Sequence, residues 1–205
     1  PAASSTISLS GRTFGSVRLN AVAAGGSCNY TATGTAKAKI RGDLTLGTGV
    51  TLALNFSDSI LVNGDLTQNG GTLNLGTSVK SVAMQVGGDI TQAAGAVITE
   101  SGSGTQSIIL ANAGTQLLSL LGTIQNNVVL VKKSLGLSVL KSALSLPYKL
   151  SLKLGSITTS DQWLLTLKSA CAIDADTVAA VSFIDGPLKK EGLNNSGFLF
   201  PVGHA

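Results

Sequence analysis

The sequence is short of aromatic residues, of charge and of histidine. Aromatics make up 4% of the 205 residues and charged residues 12%, about half the charged fraction of an ordinary globular domain. His204 is the only histidine, which excludes a Ser-His-Asp or Cys-His centre in the body of the chain and any multi-histidine metal site. No apolar run approaches the roughly 18 residues of a membrane helix, so membrane insertion by a helix is not expected. There is no three-residue glycine period, which excludes collagen, and no Walker or dinucleotide loop. Arginine clusters and interleaved aromatics are missing too, so nucleic acid is not an expected partner. The apolar fraction is nonetheless 43%, too high for a disordered chain.

Cys28 and Cys171 are the only cysteines. In a stack of coils about 4.8 Å apart, six rungs would separate them by roughly 29 Å, far beyond disulfide reach. Two buried thiols are expected, with an intermolecular bridge as the alternative. The chain opens on Pro1-Ala2-Ala3-Ser4-Ser5-Thr6, without Met or a signal-peptide pattern, and reads as a processed end or an excised segment.

What the sequence does have is repetition. Gly42-Asp43-Leu44-Thr45 returns as Gly64-Asp65-Leu66-Thr67 and as Gly88-Asp89-Ile90-Thr91, at offsets of 22 and 24 residues. Each copy leads through a small-residue turn into a second alternating run, such as Thr72-Leu73-Asn74-Leu75. A fixed period in the low twenties with short strands marks a stacked-coil architecture. The expected fold is all-β, a right-handed parallel β-helix with coils of about 22–24 residues. Residues 1–180 would form the helix, and 181–205 a terminal cap or the start of a following β module. A β-sandwich is the alternative, but sandwich strands do not generally repeat. In the stack, Leu44, Leu66 and Ile90 line the interior, Thr45, Thr67 and Thr91 face out, and the Gly of each copy and the intervening Gly pairs open the corners.

A further coil is expected near Gln106, with Ser107-Ile108-Ile109-Leu110 and Gln116-Leu117-Leu118 as its strands. From 134 to 167 the chain is leucine-rich with a period of two. Lys149-Leu150-Ser151-Leu152-Lys153-Leu154 sets three leucines on one face and Lys/Ser on the other. The lysines of the second half, from Lys132 and Lys133 to Lys189 and Lys190, read as solvated strand faces and protected edges.

Asp43, Asp65 and Asp89 would form one column. The expectation is turn carboxylates accepting backbone N–H bonds; a calcium ladder is the sharper alternative, although the β-roll nonapeptide is missing. Arg41-Gly42-Asp43 spells an integrin-type tripeptide, but its Gly-Asp belongs to the repeat. Carboxylate pairs for glycoside hydrolysis could be drawn from Asp58, Asp161, Asp174, Asp176 and Asp185, and no spacing selects one. No enzyme activity and no cofactor are expected. Trp163 reads as a packing residue that shields an outer face or the end of the core. The functional alternative makes Trp163 and Tyr148 platforms for surface glycans.

Asn63-Gly64-Asp65-Leu66-Thr67-Gln68-Asn69-Gly70-Gly71-Thr72-Leu73-Asn74-Leu75 and Thr99-Glu100-Ser101-Gly102-Ser103-Gly104 resemble the Gly/Thr/Asn-rich β-helical segments of large bacterial surface proteins exported by the type IX secretion system. Phe183-Ile184-Asp185-Gly186-Pro187-Leu188-Lys189-Lys190 and Phe198-Leu199-Phe200-Pro201-Val202-Gly203 resemble the segment that follows such a helix; the leucine-rich middle departs from the pattern. The resemblance implies a secreted, cell-surface, non-enzymatic adhesin or filament segment whose partner is itself, as a homo-oligomer or fibre. It also implies O-glycosylation at Ser59 in Asp58-Ser59-Ile60 and at Thr177 in Asp176-Thr177-Val178.

Overall fold

A computed structural model describes residues 3–21, 25–175, 182–193 and 197–203 of the chain. Every element in them is a short strand and none is a helix. The strands wind into a β-solenoid of about eight turns. Up to the last rung, each coil gives one strand to each of three faces, so that every third strand along the chain stacks on the one before it.

The first face runs from Ala3–Ser8 through Cys28–Gly34, Val50–Phe56, Thr72–Asn74 and Val97–Thr99 to Thr123–Ile124. A three-stranded sheet of Leu144–Leu146, Leu165–Leu167 and Leu188–Lys190 takes the same place in the later coils. The second face has eight strands, from Thr13–Phe14 to Ala172–Ala175. The third has nine, from Val17–Leu19 to Val202–Gly203, and holds all three repeat copies. The pairing is parallel, as shown by Leu44 opposite Leu66 and Leu66 opposite Ile90.

Period two decides what each strand buries. Leu44, Leu66 and Ile90 stack inside at 2% exposure or less, while Thr45, Thr67 and Thr91 form the outward column. Parallel register repeats this on every rung, so the core is one continuous aliphatic column. Coil length varies more than the repeat implies: 28 residues separate Ile90 from its partner Leu118, and 19 separate Ser138 from Ile157. Corners absorb the difference while the strands keep register.

The glycines divide into two kinds. Gly71 has φ +65°, and a Cβ there would run into the carbonyl of Val50. This is the left-handed corner glycine expected from the sequence. The glycines of the repeat are different. Gly64 and Gly88 are not among the positive-φ glycines; a Cβ on them would collide with Asp43 Oδ1 and Asp65 Oδ1 of the preceding coil. They are glycine because the neighbouring carboxylate lies over them, which corrects their expected role as corner openers.

Two strands depart from strict alternation. Leu150 and Leu152 are buried, but the register slips so that Lys132 opposes Leu152 while Lys133 opposes Leu154. The slip leaves Leu154 only half-buried; Ser151, in register with the outward Val131, is covered where its Oγ donates to Asp174 Oδ2. The expected row of three inward leucines is therefore two. Beyond residue 181 the ladder goes on: Ile184 pairs with Ile157, Leu188 with Leu165 and Val202 with Ile184. The segment assigned to a cap or following module thus contributes rungs to the same sheets.

Gly88→Ala is expected to lower stability by about 2 kcal/mol or more, through overpacking and loss of the carboxylate bond above it. Gly95→Ala, at φ +78° with nothing near its Cβ, pays only backbone strain of about 1 kcal/mol. Urea denaturation of the two variants measures the difference.

Candidate functional site

The aspartate column is a chain of carboxylate-to-backbone bonds. The N–H of Asp65 donates to Asp43 Oδ1 at 2.9 Å, that of Asp89 to Asp65 Oδ1 at 2.8 Å, and that of Leu117 to Asp89 Oδ1 at 2.8 Å. Ser16 Oγ begins the series by accepting from the N–H of Asp43 at 3.1 Å. The turn-carboxylate expectation describes this geometry. Each carboxylate has one oxygen engaged by the next coil, and the column offers one acidic side chain per rung. Among the described residues, no three His, Cys, Asp or Glu gather closely enough to hold a metal ion.

A second polar column lies inside. Gln68 and Gln92 occupy the inward position after the repeat's Thr, between Leu46 and Leu120, and each is 1% exposed. Gln68 Nε2 donates to the carbonyls of Gly71 and Val97 at 3.1 and 3.0 Å. Gln92 Nε2 reaches Gln68 Oε1 at 3.3 Å and the carbonyls of Ala96 and Thr123 at 3.1 and 3.3 Å. The amide nitrogens find partners in the carbonyls of the corners, where Gly71 O and Ala96 O also accept a backbone N–H from the next coil, while Gln92 Oε1 is left without a hydrogen-bond partner among the described residues. Sequence reasoning missed them, although the period that places Leu66 inside also places Gln68 inside.

Lys132 is the sharpest departure. It was expected on a solvated face, yet it is fully buried, at the inward position between Leu110 and Leu152. Its Nζ donates to Ser134 O at 2.7 Å and Ser134 Oγ at 2.8 Å, and Ser134 Oγ donates to Asn112 O at 2.5 Å. Burial lowers its pKa from 10.5 to about 8. The lysines further on do lie at the surface. Lys153 and Lys149 approach Asp174 Oδ2 at 2.8 and 3.5 Å, and the bond from Lys153 holds that carboxyl below its usual range.

The two aromatic candidates do not meet. Trp163 sits at the corner between the third and first faces, half-buried against the core, with Lys141 Nζ 4.9 Å from its ring centroid. That contact is a cation–π pair, and it fits the packing role expected of a lone tryptophan. Tyr148 sits at the corner between the first and second faces, 40% exposed, beside a shallow cavity of about 250 Å³ that Ser107, Lys149 and Ser151 also line.

Ser59 is half-buried at the corner before Ile60–Val62. Its N–H and Oγ both donate to Asp58 Oδ1, at 2.6 and 3.1 Å. The backbone bond holds the Asp58 carboxyl below its usual range. Thr177, Asp176 and His204 lie outside the described residues. Cys28 and Cys171 are free and buried, on the second and eighth coils. Burial raises the Cys171 thiol to about 11.

The outward side of the second face is unusually apolar at its centre. Leu61, Gln85, Ile109 and Val131 stand in register on four successive rungs, with Ala83, Ser107 and Val129 in the column beside them. Leu61, Ile109 and Val131 are half-buried although they point away from the core. The first face differs, with Asn29, Thr51, Thr72, Val97 and Thr123 as one outward column.

No protein-family model, curated protein or solved structure matches the chain.

Lys132→Met is expected to raise stability by about 1–2 kcal/mol, since a well-packed apolar side chain replaces a buried charge. The pH dependence follows from the same residue. Between pH 8 and 10.5 the unfolded chain holds a proton that the folded Lys132 lacks, so stability rises with pH across that window. Above pH 9 the raised Cys171 thiol acts in the opposite sense. Thermal melts between pH 7.5 and 9 should show the rise in the wild type and a flat profile in Lys132→Met.

Proposed function

We propose that the chain is a non-catalytic structural segment of a secreted bacterial surface protein, and that copies associate side by side through the outward side of the second face. The observation that carries this reading is the largely aliphatic column Leu61–Gln85–Ile109–Val131, interrupted by the exposed Gln85, with Ala83, Ser107 and Val129 alongside. Flat β faces pack about 10 Å apart when their side chains are small and apolar. With charges at 12% of the residues, little like-charge repulsion keeps such faces apart. The resemblance of the coils and the C-terminal segment to type IX-exported surface proteins supports the adhesin or filament setting. Attachment or cell–cell contact is the use that such a rod serves.

A second reading, a carbohydrate-binding module, draws support from Tyr148 alone, because the Trp163 ring already carries Lys141. It requires retention on a glycan array that Tyr148→Ala removes.

Sedimentation velocity and negative-stain microscopy test the structural reading. The wild type should associate with rising concentration. Ile109→Lys combined with Leu61→Lys should remain monomeric with an unchanged thermal midpoint. A wild type that stays monomeric, or a variant that associates equally well, contradicts it.

A further inference from the structure

An amine and a hydroxyl meet at the corner that follows Val129–Lys133. Lys132 stands inward between Leu110 and Leu152 and is fully covered. The register slips at this residue, and its side chain carries Nζ to the bend after its own strand. There Nζ lies 2.8 Å from Ser134 Oγ. Ser134 is half-buried and the adjoining Leu135 is 72% exposed. The pair therefore sits where the core meets solvent.

No carboxylate balances this amine. The neighbouring strand of the second face carries Lys149 and Lys153, which pair with Asp174 on the outward side. Lys133 is exposed. Gln106–Leu110, Thr115–Leu120 and Leu137–Leu140, the other strands around it, contain no charged residue. Burial alone sets the lysine pKa, at about 8, so near that pH much of the protein holds a neutral amine. An apolar side chain would suit the position better. What lysine adds there is a base in contact with a hydroxyl.

A serine becomes a nucleophile when a base within hydrogen-bond reach takes its proton, and a desolvated lysine is such a base. With Nζ charged, Oγ accepts a bond from it and gives its own proton to Asn112 O. With Nζ neutral, the hydroxyl can turn its proton to the amine lone pair. The backbone N–H groups of Leu135 and Gly136, next in the chain, have no partner among the described residues. Two donors for a developing oxyanion are thus present on the same bend.

We propose that Ser134 is a nucleophile activated by Lys132, and that it accepts an acyl group from an activated ester, making this corner a covalent acylation site. Oγ attacks the carbonyl carbon and forms the new C–O bond as its proton passes to Nζ. The bond from that carbon to the leaving oxygen breaks, and the leaving group departs as an alcohol or phenol with the proton from Nζ. One ester is exchanged for another, and no oxidant or reductant takes part. The reaction goes beyond the structural role and does not depend on self-association.

Incubation with p-nitrophenyl acetate tests the proposal, read by intact mass and peptide mapping. Neutral hydroxylamine tells a serine ester, which it removes, from a lysine amide. The wild type should gain one labile acetyl group per chain, on Ser134, at a rate that rises with pH through about 8 and then levels off. Lys132→Met should slow that reaction by about a hundredfold or more, the usual weight of a general base. It should also flatten the pH profile while folding at least as stably as the wild type. Ser134→Ala should carry no labile group at this corner. Absence of a labile group on Ser134, or one that forms in Lys132→Met at the wild-type rate, overturns the proposal. An amide on Lys132 that forms equally well in Ser134→Ala also overturns it, because the lysine would then be the nucleophile.

Discussion

The constraint on which this molecule depends is parallel, in-register stacking at one rung spacing. A residue on one coil meets the same position of the coil before and the coil after, about 4.8 Å away. Each choice is therefore made three times over. The Gly-Asp pair of the repeat shows this most directly. Asp43 reaches the N–H of Asp65 only because Gly64 leaves room beneath its carboxylate, and Asp65 does the same for Asp89 over Gly88. Neither residue of the dipeptide makes sense within its own coil. The motif is a contact between coils, written once per coil.

The same rule explains what the interior tolerates. A polar group in the core must find partners on its own rung or an adjacent one. Gln68 and the amide nitrogen of Gln92 find them in corner carbonyls and in each other, while Gln92 Oε1 has none among the described residues. Lys132 succeeds only through Ser134, at the place where the register slips between two coils. Ala32 is the opposite case, a residue too small for its column. Its neighbours cannot close the gap without breaking register with the rungs beyond them, so the space persists as a cavity.

Much of this was legible in the sequence. The spacing of Leu44, Leu66 and Ile90 carried the fold, the direction of the strands and the inward and outward columns, because a repeated motif reports its own stacking partner. Outside the three copies nothing pairs one coil with the next by eye. Lys132 falls on an inward position only once the strand is known to oppose Leu110. Leu154 leaves the core through a slip that its own alternation conceals. The cavity requires knowing that Ala32 stands between Ile7 and Leu54, residues 25 and 22 positions away. The outward column is hidden in the same way, since Leu61, Gln85, Ile109 and Val131 fall into line only through the stack.

The central claim is that consecutive coils are parallel and in register, and engineered cysteines test it most directly. Thr45 and Thr67 are outward partners on adjacent rungs, at a Cα separation of about 4.8 Å that a disulfide accommodates. Thr45 and Thr91 lie two rungs apart, at about 9.6 Å, which is out of reach. Mild oxidation of the folded chain should close the Thr45→Cys/Thr67→Cys pair within each molecule and leave Thr45→Cys/Thr91→Cys reduced. An open first pair, or a second pair that closes as readily, would contradict the stack.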